Sequence, residues 1–281
     1  MTGPTIERRK VNGVELHVER RGEGPRVVLV HGSWGDASNW AAMVDGLAED
    51  YEVVTYDRRG HTRSGDGPGP GSRVQDAEDL AALVADLGPE PAHVVGNSFG
   101  GAITLTLIAA RPEVVASAAV HEPPLFGLLE GLDDPAVSAH LAVTLEAEEQ
   151  VRRLLVEGRH EEAAHHFVDH VAFGPGAWER LPAGRRAMFI DNAATYLDEL
   201  EDPDALTIDA AALAATTVPL GLSVGTVSPP TLVAATHEVA RLVDHAELVV
   251  LDGAGHVPQQ SHPGLLVERL DRFWSGLAGR R

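Results

Sequence analysis

Apolar positions along this chain follow two rhythms. Short β-branched runs at residues 5–11, 14–20, 26–30, 51–56, 93–96 and 114–121 read as β-strands, and the unbroken apolar stretch of 27–30 marks a strand covered on both faces. Between them, residues 39–49, 73–87 and 99–111 place apolar side chains at helical spacing. Asn12-Gly13 separates the first two strands by two residues that tolerate positive φ, which predicts a hairpin. A hairpin followed by strand–helix units predicts an α/β fold, with a mostly parallel sheet flanked by helices.

From Pro123 the rhythm changes. Strand-like runs vanish and helical stretches take over at 137–158, 161–171 and 185–201. The alternation then resumes with a strand at 218–224, a helix at 231–243, a strand at 246–251 and a closing helix at 264–277. The expected organisation is one core built from residues 1–122 and 217–281, with residues 123–216 as a helical insertion that is not an independent domain. The Gly- and Pro-rich run at 65–71 reads as an exposed turn.

Charge narrows the range of partners. A formal net charge of −20 opposes binding to nucleic-acid phosphates or anionic membrane surfaces, both of which reward Lys and Arg, so a small molecule is the expected partner. With no cysteine, a thiol nucleophile, thiolate metal sites and disulfides are excluded. Met1 to Lys10 carries no apolar leader and no run is long enough to span a bilayer, which makes the cytoplasm the expected location.

The chemistry concentrates in three segments. Gly96-Asn97-Ser98-Phe99-Gly100 is a GxSxG pattern placed after a predicted strand and before a predicted helix. A sharp strand-to-helix turn of this kind lifts the central serine above the sheet, and flanking glycines let neighbouring backbone approach. Alone the pattern is weak in a chain with 29 glycines, and a Gly-rich connection would be the bland account; the strand–turn–helix context is what singles out Ser98 as a nucleophile. The Phe99 N–H, opening the helix, is suited to hold an oxyanion. The second segment is His31-Gly32-Ser33-Trp34-Gly35 after strand 26–30, where the Ser33 N–H, or that of Trp34, would be the other oxyanion donor; His31 itself reads as structural. The third is Ala254-Gly255-His256 after the last strand, which delivers His256 as general base in the chain order that such a serine enzyme requires.

With these pieces, the chain resembles the α/β-hydrolase superfamily from end to end, in particular its small bacterial esterase, perhydrolase and C–C hydrolase branches. The segment from Tyr56 to Gly65 looks like the family's loop after the fourth strand, with Thr62 where glycine is usual, and the 123–216 insertion is similar to the helical cap that roofs the family's active site. The resemblance implies an acyl-enzyme on Ser98 formed from an ester, lactone or thioester. It also exposes a departure: the family's usual acid position, after strand 218–224, holds Val227, which cannot orient an imidazole. Some superfamily members draw the acid from the strand after the nucleophile helix, where this chain carries Glu122 ahead of Pro123-Pro124. Glu122 is therefore the fallback acid, its other readings being a structural residue at the entry to the cap or a substrate contact. Two alternatives follow from Val227: a non-hydrolytic or C–C bond enzyme on the same scaffold, and a ligand-binding protein with a vestigial triad.

Two further patterns are set aside. His160, His165, His166 and His170 crowd one helical stretch, but a zinc HExxH would need histidine where Ala164 stands, so no metal is expected. No dinucleotide or P-loop pattern occurs, and no cofactor is expected.

Overall fold

The structure, a computed structural model, describes residues 3–279. Met1, Thr2, Arg280 and Arg281, counted in the expected core and, for the first two, in the leader assessment, lie outside the described residues. Among the described residues, eight strands form one sheet in the order β1-β2-β4-β3-β5-β6-β7-β8, where β1 is Thr5–Val11, β2 Val14–Arg21, β3 Arg26–Val30, β4 Glu52–Tyr56, β5 Ala92–Asn97, β6 Val115–His121, β7 Leu220–Gly225 and β8 Glu247–Leu251. The hairpin forms as expected: Val11 pairs with Val14, and Asn12 (φ 44°) and Gly13 (φ 81°) both take the left-handed conformation of a type I′ turn. Only β1 and β2 run antiparallel to their neighbours; every pair from β4 to β8 is parallel.

Helices cover both faces, which is why Val27 to Val30 are all buried. On one face α2 (Arg73–Leu87) and α3 (Phe99–Ala110) pack Leu80, Leu83, Ile103 and Leu107 onto the sheet. On the other, α1 (Ala41–Leu47) and the closing helix (Pro263–Ala278) contribute Met43, Leu47, Leu266, Leu270 and Trp274. Between β6 and β7 the described chain forms helices only: α4 (Pro135–Val156), α5 (His160–Phe167), α6 (Ala177–Arg180), α7 (Ala183–Asp191), α8 (Ala193–Glu201) and α9 (Ala210–Ala214). They hold a separate apolar cluster including Val151, Phe167, Trp178, Phe189 and Tyr196, into which Trp34 of the core inserts. The ends of the insertion belong elsewhere, since Leu125, Ala205 and Leu213 join the cluster around α3.

Helix ends differ from expectation where tertiary contacts intervene. The helix expected over 185–201 is broken at Asn192, whose buried side chain donates to the carbonyls of Trp34 (3.2 Å) and Gly35 (2.9 Å) and accepts from the Thr62 N–H (2.8 Å). The helix expected over 161–171 loosens into a wider turn at Val168–Ala172, where Asp169 accepts from the N–H groups of Gly176 and Trp178, each at 2.8 Å. Among the described residues no helix is long and apolar enough to cross a membrane.

Candidate active site

Strand β5 ends at Asn97, and the chain turns into α3 through Ser98 at φ 56°, ψ −127°, a conformation L-residues rarely adopt. Close approach makes the turn possible. A Cβ on Gly100 would collide with the carbonyls of Val30 and His31, and one on Gly96 with the carbonyl of Gly100. Gly32 packs directly against the nucleophile candidate, its position for a Cβ lying 3.0 Å from Ser98 Cβ. Ser98 lines a cavity of about 530 Å³ together with Ser33, Phe99 and His256, roofed by α4, α7 and α8.

The next strand carries the carboxylate. Glu122 directly follows β6, itself at positive φ (49°) and fully buried. Its Oε2 lies 2.9 Å from His256 Nδ1, and its Oε1 accepts from the Gly225 N–H at 2.8 Å. Burial raises the Glu122 pKa, but the hydrogen bond from His256 and the nearness of the His121 and His256 imidazoles outweigh it, holding the carboxyl below its ordinary range. An ionised Glu122 can only accept, so His256 carries its proton on Nδ1 and turns Nε2 away from the carboxylate.

The histidine loop is anchored from beneath. Asn97 Nδ2 donates to the His256 carbonyl at 2.8 Å, and Gln259 Nε2 donates to Asn97 Oδ1 at 2.8 Å. His121 bridges Ser223 Oγ (2.9 Å) and the Gly255 carbonyl (3.2 Å); burial lowers its pKa to about 4, so it serves as a neutral strut. Reading the sequence did not single out Asn97, His121 or Gln259 for this role. Asn97 offered a signal, standing inside the GxSxG pattern itself.

The remaining expectations sort clearly. His31 is buried, accepts from the Arg58 N–H at Nε2 (3.0 Å) and contacts the Gly32 carbonyl at Nδ1 (2.9 Å), which makes it a brace for the loop. The backbone N–H groups of Ser33 and Phe99 have no hydrogen-bond partner among the described residues. The Trp34 N–H is likewise without a partner among the described residues; its ring enters the aromatic cluster with Phe167, Phe189 and Tyr196, and Trp34 does not line the cavity. Val227 is 69% exposed and holds the turn after β7 through its backbone, its N–H bonded to the Ala254 carbonyl at 3.1 Å. The Ser98 hydroxyl has no hydrogen-bond partner among the described residues, the His256 ring included; such contacts are commonly loose without substrate.

A family model described as "Alpha/beta hydrolase family" matches residues 27–269. The chain belongs to the alpha/beta hydrolase family. Among its curated relatives, an uncharacterized hydrolase, YraK, from Bacillus subtilis (strain 168) is 43% identical over 124 residues, covering 43% of this chain and 46% of its own. A putative carbamate hydrolase, RutD, from Azorhizobium caulinodans is 38% identical over 103 residues, covering 37% of this chain and 39% of its own. The chain thus spans less than half the length of these relatives. Among solved structures, an alpha/beta hydrolase from Sphaerobacter thermophilus DSM 20745 superposes with a TM-score of 0.77 at 28% identity, covering 95% of this chain and 100% of that one. An enol-lactonase from Burkholderia xenovorans LB400 shares the fold at a TM-score of 0.74 and 24% identity, covering 96% of this chain and 100% of that one.

Proposed function

We propose that this member of the family is a serine hydrolase that cleaves a small-molecule ester, lactone or thioester through an acyl-enzyme on Ser98. The observation that carries this reading is the 2.9 Å contact between Glu122 and His256 Nδ1, beside a strained Ser98 in the same cavity. In the proposed reaction Ser98 Oγ attacks the substrate carbonyl and His256 Nε2 takes its proton. Glu122 keeps the imidazole in the tautomer that can do so and stabilises the imidazolium. The free N–H groups of Phe99 and Ser33 donate to the carbonyl oxygen as it becomes charged, and His256 returns the proton to the leaving group. Water then releases the acyl group by the same steps.

The non-hydrolytic alternative rests on the valine at position 227; a carboxylate on His256 Nδ1 supports hydrolysis over it. The names of the relatives, hydrolase and carbamate hydrolase, agree with hydrolysis.

Intact-mass analysis after exposure to a fluorophosphonate tests the reading without knowledge of the substrate. Single rapid labelling of the wild type, absent from Ser98→Ala and slowed in Glu122→Gln, is expected. Undiminished labelling of Ser98→Ala, or none of the wild type, would overturn it.

A further inference from the structure

The two backbone donors assigned to the oxyanion pocket come from separate elements: Ser33 from the loop after β3, Phe99 from the first turn of α3. One pair of charged side chains reaches the side chains of both residues. The Ser33 hydroxyl donates to Glu199 Oε2, its only side-chain partner among the described residues. The other Glu199 oxygen accepts from Arg58 Nη2 at 2.5 Å, and the Arg58 guanidinium lies over the Phe99 ring, 5.2 Å from its centroid.

Arg58 is itself fixed on two more sides, by Asp76 Oδ2 at 2.7 Å from Nη1 and by His61 Nε2 at 3.0 Å from Nη2. Arg58, Asp76 and Glu199 are all buried. Hydrogen-bonded charges in so dry a setting hold their geometry tightly, because releasing one strands its partner without water. Ser33 would otherwise be poorly held, since it follows Gly32, where the chain must remain free of a side chain to pass Ser98. Glu199 lies on α8, so the grip on this loop comes from the helical insertion.

We infer that Glu199 is a positioning residue for the oxyanion pocket: with Arg58 it sets the Ser33 N–H against the Phe99 N–H, tying the catalytic loop to the roof of the cavity. The inference rests on the serine-hydrolase reading above. Its chemical consequence is a readout confined to the transition state, because the carbonyl oxygen needs both donors only once it becomes charged.

Two substitutions test it. In Glu199→Leu both acceptor oxygens are gone, so Ser33 Oγ and Arg58 Nη2 lose their shared partner at similar side-chain volume; an amide would not serve, since its NH₂ could donate to Ser33 Oγ and keep the tie. Ser33→Ala removes the hydroxyl and leaves the N–H, and it carries the test should Glu199→Leu fail to fold. Each is assayed for kcat and KM on p-nitrophenyl butyrate, and for affinity toward an alkyl trifluoromethyl ketone, which adds to an active serine and leaves an oxyanion. Loss of a whole oxyanion donor lowers kcat by ~10²–10³, so a displaced one is expected to lower it by about 10-fold to 100-fold. KM should stay within about twofold, ketone affinity should fall in step with kcat/KM, and Ser33→Thr should recover most of the loss. The double variant should be no worse than the poorer single one.

Wild-type kcat and ketone affinity in Ser33→Ala, beside a wild type that uses Ser98, would overturn the positioning role alone. A rise in KM with kcat unchanged would do the same. A wild type that neither hydrolyses the ester nor binds the ketone through Ser98 would overturn the serine-hydrolase reading, and this inference with it.

Discussion

Ser98 and Glu122 occupy equivalent places at the ends of adjacent parallel strands, and both are bent into positive φ, at 56° and 49°. The register pairs Asn97 with His121, so the residue after each strand emerges side by side, and the Ser98 N–H donates to the His121 carbonyl at 2.9 Å. That pairing brings a carboxylate to His256 from β6, leaving the turn after β7 free to carry Val227.

Replacing Glu122 by Gln should therefore lower kcat by ~10³–10⁴, by analogy with neutralising the acid of a serine-protease triad, since an amide NH₂ against Nδ1 selects the wrong tautomer. The Gly225 N–H keeps an acceptor, so the fold should survive. Val227→Ala, by contrast, should stay within about twofold of wild type. Steady-state ester hydrolysis with circular dichroism checks both; a normal kcat in Glu122→Gln would remove the acid role.

The strained turn at Ser98 should trade activity against stability. Ser98→Ala keeps the costly backbone angles, whereas Ser98→Gly relieves them. Strain of ~1–3 kcal/mol exceeds the entropy penalty of glycine, about 0.4–1 kcal/mol, so the Gly variant should be the more stable inactive enzyme by about 1 kcal/mol. Urea unfolding of the two variants decides it, and equal midpoints would mean that the turn stores no strain.

Gly100→Ala should be far more damaging. The added methyl meets the carbonyls of Val30 and His31, rigid backbone on β3 and its exit, so neither neighbour can turn aside. A loss of about 3 kcal/mol is expected, the upper end for overpacking, read as a lower thermal midpoint together with reduced kcat from a displaced Ser98.

Two carboxyls should pull stability in opposite directions with pH. Glu122 is held below its ordinary value, so its contribution is complete above the ordinary carboxylate range and is lost as pH falls through the lowered value. Glu148, half-buried on α4 against the cavity, is pushed from 4.5 to about 7, chiefly by burial and, after the opposing hydrogen bond from Tyr196, by the nearby Glu199. The folded state therefore holds a proton that the unfolded chain has released, and stability falls as pH rises from about 4.5 to 7. Glu148→Gln should be more stable than wild type at pH 8, by about 3 kcal/mol for a shift of that size, and equal to it near pH 4. Melting temperatures across that interval check the sign.

Much of the architecture was legible because it is written locally. Strand 26–30, the Asn12-Gly13 turn and the GxSxG pattern each lie within a few consecutive residues, and each forms where expected. The partnership of Glu122 with His256 joins residues 134 apart, and no periodicity encodes it; only the resemblance to superfamily members that take their acid from that strand end points to Glu122. Asn192 shows the same limit. Its neighbours keep helical spacing on both sides, and the break appears only because its amide is needed by Trp34 and Gly35 of another segment. Glu199 carries no signal in the sequence, because its partners Ser33 and Arg58 lie 166 and 141 residues away.

The two halves of the proposed machinery also differ in how firmly they are housed. Ser98 and Glu122 stand within one continuous stretch, β5 through β6, deep in the middle of the sheet, whereas His256 hangs from β8, an edge strand that among the described residues has β7 as its sole sheet neighbour. Margins of a sheet open more readily than its centre. Gentle heating should thus extinguish turnover ahead of bulk unfolding, with protection against amide exchange failing first along β8, and cooling should restore it without refolding of the remainder.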